Sequence, residues 1–66
     1  MEIVVNGQRR ELTASTTVGA VVEDHVPARR GVAVALDGTI LPRGQWDATV
    51  LPDGARLEIV GAAQGG

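Results

Sequence analysis

Sixty-six residues with a net charge of −2, no cysteine and a single aromatic side chain, Trp46, make one small domain with an aliphatic core and no disulfide or thiolate–metal support. The charges are spread evenly, with no basic patch and no set of stacking aromatics, which argues against nucleic-acid binding. No apolar run approaches the length of a membrane span, and no basic n-region precedes an apolar h-region, so a soluble cytoplasmic protein away from membranes is expected.

Met1 to Val5 reads as a strand, with β-branched residues at three of five positions. Asn6-Gly7 follows, and both residues tolerate the positive φ of a tight hairpin turn. Gln8 to Thr13 returns as a second strand whose Arg9, Arg10 and Glu11 suit a sheet edge that must not recruit another chain. Ser15, Thr16 and Thr17 offer hydroxyls for a helix N-cap. Val18, Val21, Val22 and Val26 then recur at helical spacing, and Pro27 ends the helix. So many valines give poor intrinsic helix propensity, so packing must hold this helix.

Val32 to Leu36 is a third strand, Asp37-Gly38 a second hairpin turn, and Thr39 to Leu41 pairs back briefly. Pro42 to Trp46 breaks the pattern, and Asp47 to Leu51 is expected as a short fourth strand. Pro52-Asp53-Gly54 turns into the last strand, Ala55 to Val60. Leu57 and Ile59 face one way there and Arg56, Glu58 and Val60 the other. The order β-β-α-β-β-β gives an α+β domain over residues 1–60, one helix on one sheet face, followed by a narrow, flexible tail over 61–66.

The order of elements, the length, the opening strand with its Asn-Gly turn, Val34 to Gly38, Leu41-Pro42-Arg43-Gly44-Gln45-Trp46, Asp53-Gly54 and the final Gly65-Gly66 together resemble the ThiS-type sulfur carriers of the ubiquitin-like β-grasp family. Aspartate at position 37 stands where that family usually has asparagine, with the same tolerance of positive φ. The resemblance implies a mixed sheet of order 2-1-5-3-4 on one helix. It implies a carrier rather than an enzyme, with no bound cofactor. A ThiF-type adenylyltransferase would use ATP to adenylate Gly66. A cysteine desulfurase or other persulfide donor would supply sulfur, leaving a thiocarboxylate. A ThiG-type thiazole synthase would take that sulfur into the thiazole ring of thiamine.

The chemistry is coherent with the residues. A carboxylate is a poor electrophile, adenylation gives it a leaving group, and a thiocarboxylate is a sulfur source that needs no cysteine. Gly65 and Gly66 would form the reactive end, and Gln64 is the one bulky side chain of the tail, placed to hydrogen-bond inside a partner's channel. On the implied sheet, Val4, Val60 and one or both of Ala33 and Ala35 would lie side by side away from the helix, an apolar patch of the kind that docks partners.

Trp46 is expected to cover the open end of the core, with Arg43 stacked on it or paired to a carboxylate. His25, the only histidine, is expected to meet the last helix carbonyls or solvent, not a metal. All six basic residues are arginine. Compositional bias explains that by default, and protection of an activated terminus from its own amines is the functional alternative. Three other functions remain open at this stage: a molybdopterin- or cysteine-synthesis sulfur carrier, a ubiquitin-like modifier of other proteins, and a β-grasp binding domain with incidental glycines.

Overall fold

Two pairs of left-handed residues set the hairpins. Asn6 and Gly7 have φ of 49° and 82°, and Asp37 and Gly38 have 49° and 86°. Positive φ at both central positions makes the two-residue turn whose twist matches that of the flanking strands. The first joins β1 (Glu2–Val5) to β2 (Gln8–Glu11), and the second joins β3 (Val32–Leu36) to β4 (Thr39–Ile40). These elements come from a computed structural model that describes residues 1–61. The final strand, β5 (Arg56–Gly61), lies between β1 and β3.

The sheet order is β2-β1-β5-β3-β4, with β1 and β5 parallel and the other neighbours antiparallel. This is the expected β-grasp arrangement. Charged β2 and two-residue β4 form the edges, which limits pairing with another chain. β5 runs one residue further than expected, since Gly61 pairs with Val32. The flexible tail expected beyond it, from Ala62 onward, lies outside the described residues.

The helix α1 (Val18–His25) packs its valines on the sheet. Val18, Val21 and Val22 are buried against Ile3, Val5, Val34, Leu57 and Ile59 in one core. Of the three candidate hydroxyls, Thr17 is the cap: its Oγ1 accepts from Ala20 N at 3.2 Å. At the other end Val26 leaves the helix with φ −128° and ψ 151°, because the ring of Pro27 disfavours helical geometry in the residue before it.

The strand expected over Asp47 to Leu51 does not form. A 3-10 turn (Arg43–Gln45) leads into this segment, and its carbonyls serve the helix. Thr49 O accepts from Val18 N at 2.9 Å and Trp46 O from Gly19 N at 3.0 Å. The first amides of a helix have no partner within it, so a nearby loop with free carbonyls is recruited to them. Only an isolated bridge, Thr17 to Val50, remains of the strand pattern, and the fourth strand of the sheet is Thr39–Ile40.

Trp46 is 1% exposed and donates its indole N–H to Leu41 O at 3.0 Å. It covers the core as expected, but its cationic neighbour is not Arg43. Arg29 places its guanidinium 5.8 Å from the ring centroid. Both terminal nitrogens of Arg29 bond Asp47, at 3.0 and 2.7 Å, and Nη2 also lies 2.9 Å from Glu23. Arg43 is exposed on the 3-10 turn. Planar guanidinium suits a joint task of ring stacking and a forked carboxylate bond.

The hydrogen bonds and charge of Arg29 hold the Asp47 carboxyl below its ordinary value, against the opposing effect of desolvation. A carboxyl with a depressed folded-state pKa adds stability above its unfolded value of about 3.9, and loses it as pH falls through the folded value. Asp47→Asn is therefore expected to have a lower melting temperature than the parent at pH 6 and to converge with it near pH 2. The difference is small, because the Asp47 side chain is 71% exposed. Melting curves between pH 2 and 6 check this, and a constant gap across that range would contradict it.

Gly19 makes room for the pair. A Cβ there would sit 2.8 Å from Arg29 Nη2 and 3.1 Å from Asp47 Cγ, and closer still to Asp47 Oδ1. Gly19→Ala should therefore open the ion pair, a small loss at so exposed a site. Alanine in a helix gains about 1 kcal/mol over glycine, so the urea midpoint is expected to change little. NMR titration should instead find the Asp47 carboxyl back in the ordinary carboxylate range.

Candidate functional site

Alternation along the strands sends every second residue away from the helix, and register decides which of these become neighbours. Val4 is opposite Arg56 on β5 and Arg9 on β2. One step toward the C-terminal end of β5, Glu58 is opposite Ala35, which is opposite Ile40. One step further, Val60 is opposite Ala33. At the far end of the face Glu2 is opposite Glu11. The open face thus grades from charged, at the Glu2 end, to apolar where the chain leaves the sheet.

Val4, Ala33, Ala35 and Val60 all lie on this face, as expected, but not as one patch. Two positions along β5 separate Val4 from Val60, and Arg56 and Glu58 fill them. The contiguous apolar group is Val60, Ala33, Ala35 and Ile40. Val60 is 59% exposed and Ile40 69%. Ile40 went unnoticed in the sequence because its place depends on the two-residue pairing of β4, although an isoleucine two residues after a hairpin turn was a usable signal. Gln64, Gly65 and Gly66, the other expected site residues, lie outside the described residues.

Strand β5 carries the root of the tail and is held along both sides. Asp37 N donates to Arg56 O at 2.8 Å, and Asp37 Oδ1 accepts from Arg56 N at 2.8 Å. Asn6 repeats the arrangement near the exit: its Oδ1 accepts from Ile59 N at 2.8 Å and its Nδ2 donates to Ile59 O at 3.1 Å. The same two residues whose left-handed backbones make the hairpins thus continue the ladder onto β5 with their side chains. Short Asn and Asp side chains suit both tasks. Asn6 Nδ2 also reaches His25 Nε2 at 3.2 Å; His25 is exposed to solvent, one of its two expected settings, and its contact is a turn amide and not the last helix carbonyls.

Among the described residues, no group of three or more His, Cys, Asp or Glu is arranged to hold a metal ion, and no helix is long and apolar enough to cross a membrane. What the geometry presents is a braced central strand that ends beside an exposed apolar patch.

Relatives share this fold. The crystal structure of a thiamine biosynthesis protein, ThiS, from Geobacter metallireducens superposes with a TM-score of 0.81 at 30% identity, covering 92% of this chain and 93% of that one. A solution structure of a thiamine biosynthesis protein from the same organism gives 0.71 at 28% identity, over 91% and 81%. The sulfur carrier protein ThiS of Escherichia coli is 30% identical over the whole of both chains. A thiazole synthase of Paramagnetospirillum magneticum is 36% identical over all 66 residues, which span only 20% of its length. The family model for the ThiS family matches residues 3–66, so the match runs through the braced strand to the terminal glycines, and the chain belongs to the ThiS family.

Proposed function

We propose that this ThiS-family chain is a sulfur carrier of thiamine biosynthesis that delivers sulfur to thiazole formation as a thiocarboxylate on Gly66. The observation that carries the proposal is the match along the full length of the E. coli sulfur carrier, on a fold whose central strand leads into Gly65-Gly66. The protein is a carrier and not an enzyme. A ThiF-type adenylyltransferase spends ATP to attach AMP to the Gly66 carboxylate. Sulfur from a cysteine desulfurase or another persulfide donor then displaces AMP at the same carbonyl carbon. No cofactor stays on the carrier. A thiazole synthase is the acceptor. The P. magneticum thiazole synthase supports this, since a stretch of its own chain is similar to the whole of this one.

In this reading the patch of Val60, Ala33, Ala35 and Ile40 is the docking surface. From Gly61, the five residues to Gly66 span at most ~18 Å at roughly 3.3–3.6 Å per residue, enough to enter a partner's active site while the body stays outside. Gln64 would hydrogen-bond within that channel. The setting is the cytoplasm, where the ATP-dependent activation takes place.

Intact-protein mass spectrometry tests the function. After incubation with ATP, the adenylyltransferase and a sulfur source, the chain should gain about 16 Da, sulfur for oxygen. A chain lacking Gly66 should gain nothing. An unchanged full-length chain beside an active adenylyltransferase would refute the proposal.

A further inference from the structure

An activated acyl group on Gly66 reacts with any nucleophile it can reach, and the nearest surface is the protein's own. The basic nitrogens of the sequence belong to six arginines, one histidine and the Met1 amine. The six basic side chains are all guanidinium groups, whose delocalised charge makes them poor nucleophiles, whereas a lysine would add a compact amine that attacks acyl groups once it loses its proton. The sequence holds no cysteine and no tyrosine.

The α-amino group of Met1 donates to Leu12 O at 2.8 Å. It also lies at the wrong end of the sheet. Val4 is level with Arg56, so Met1 is level with Asp53, eight positions before Gly61. At about 3.3 Å per residue that separation is ~26 Å. The five residues beyond Gly61 reach at most ~18 Å.

His25 is different, because Asn6 brings it beside Ile59, close to the root of the tail. Ile59 N–H requires an acceptor, which fixes Asn6 Oδ1 toward it and Nδ2 toward Ile59 O and His25. Asn6 Nδ2 can only donate, so in this contact His25 Nε2 is the acceptor. The lone pair that would attack an acyl group is already engaged.

We propose that the folded body is chemically silent toward its own activated C-terminus: its arginine-only basic set, the distant Met1 amine and the Asn6-engaged His25 leave an acyl group on Gly66 to pass to a partner's nucleophile or to water. In self-acylation, a nitrogen lone pair would form a bond to the Gly66 carbonyl carbon. The bond to AMP, or to sulfur in a thioester, would break, the leaving group would take the electron pair, and the amine proton would go to water. The side chains withhold the first of these partners. A corollary is that the protein cannot build side-chain-linked polymers of itself.

The inference rests on the carrier reading of Gly66, but its test needs no partner enzyme, so the two fail separately. The full chain is prepared as a C-terminal thioester with a small thiol and held at pH 8, with intact mass read over time. The parent is expected to return to the free acid only. In Arg30→Lys the new amine lies beside the root of the tail, since Arg30 and Gly61 line one groove. That variant should accumulate an internal amide about 18 Da lighter than the acid, at least about tenfold above the parent, because a short tether gives a millimolar effective concentration. His25→Gln should hydrolyse at the parent rate. An internal amide or covalent dimer in the parent, its absence from Arg30→Lys, or slower hydrolysis in His25→Gln would each overturn the proposal.

Discussion

A Trp46→Ala chain is expected to be largely unfolded at 37 °C. Truncating a buried tryptophan costs about 3–5 kcal/mol. A domain of this length has roughly 3–10 kcal/mol in total, at about 0.05–0.15 kcal/mol per residue. Trp46 is the largest fully buried side chain and the only aromatic one, so no neighbouring ring can fill the space. The loss also reaches the helix, because the residues that offer Trp46 O and Thr49 O to its first amides are positioned by the indole. Trp46→Phe should fall well short of this, losing part of the contact area and the 3.0 Å bond to Leu41 O, the latter worth about 1 kcal/mol. Urea denaturation followed by circular dichroism separates the cases. A Trp46→Ala chain with a midpoint near that of the parent would show that the core does not depend on this residue.

The second large effect concerns partner binding. Val60→Glu is expected to weaken association with the proposed adenylyltransferase partner by about 30-fold or more, the loss of one dominant contact of about 2 kcal/mol. Val60 is flanked by Ala33, and the two-residue steps to Ala35 and Ile40 are apolar as well, so a carboxylate there has no cation opposite it. Val4→Glu should do much less. Its cross-strand neighbours are Arg9 and Arg56, which would accept a carboxylate between them. Ile40→Glu should resemble Val60→Glu. Calorimetric titration of the three variants measures this, and equal losses at positions 4 and 60 would refute the patch as drawn from register.

The two substitutions also mark where the sequence was legible. Asn6-Gly7 and Asp37-Gly38 announced their hairpins because few residue pairs tolerate two successive positive φ values. The valine stripe of the helix and the alternation in Leu57 and Ile59 were equally plain, since burial follows local period. Neighbourhood across the sheet was harder. Val4 and Val60 share a face by parity alone, but the parallel register that puts Arg56 beside Val4 is a long-range fact. Asp47 to Leu51 resembled a strand in pattern, and the competing demand, two unpaired helix amides, lay about thirty residues earlier. Arg43 is the arginine nearest Trp46 in sequence, but nearness along the chain does not bring it over the ring. Arg29 takes that place because the loop after the helix crosses the ring. The dual use of Asn6 and Asp37, as turn formers and as side-chain partners of β5, could not be seen without knowing that both turns end beside that strand.

Strand β5 runs between a parallel neighbour and an antiparallel one, with Asp37 fastened at its entry and Asn6 near its exit. A tug on the chain beyond Gly61, along the strand axis, therefore acts on both ladders in shear. Hydrogen bonds lying across the direction of pull share the load together, instead of parting one after another as they would in a peeled edge strand. The body is thus built as a mechanical anchor, able to stay folded while another protein draws its end inward.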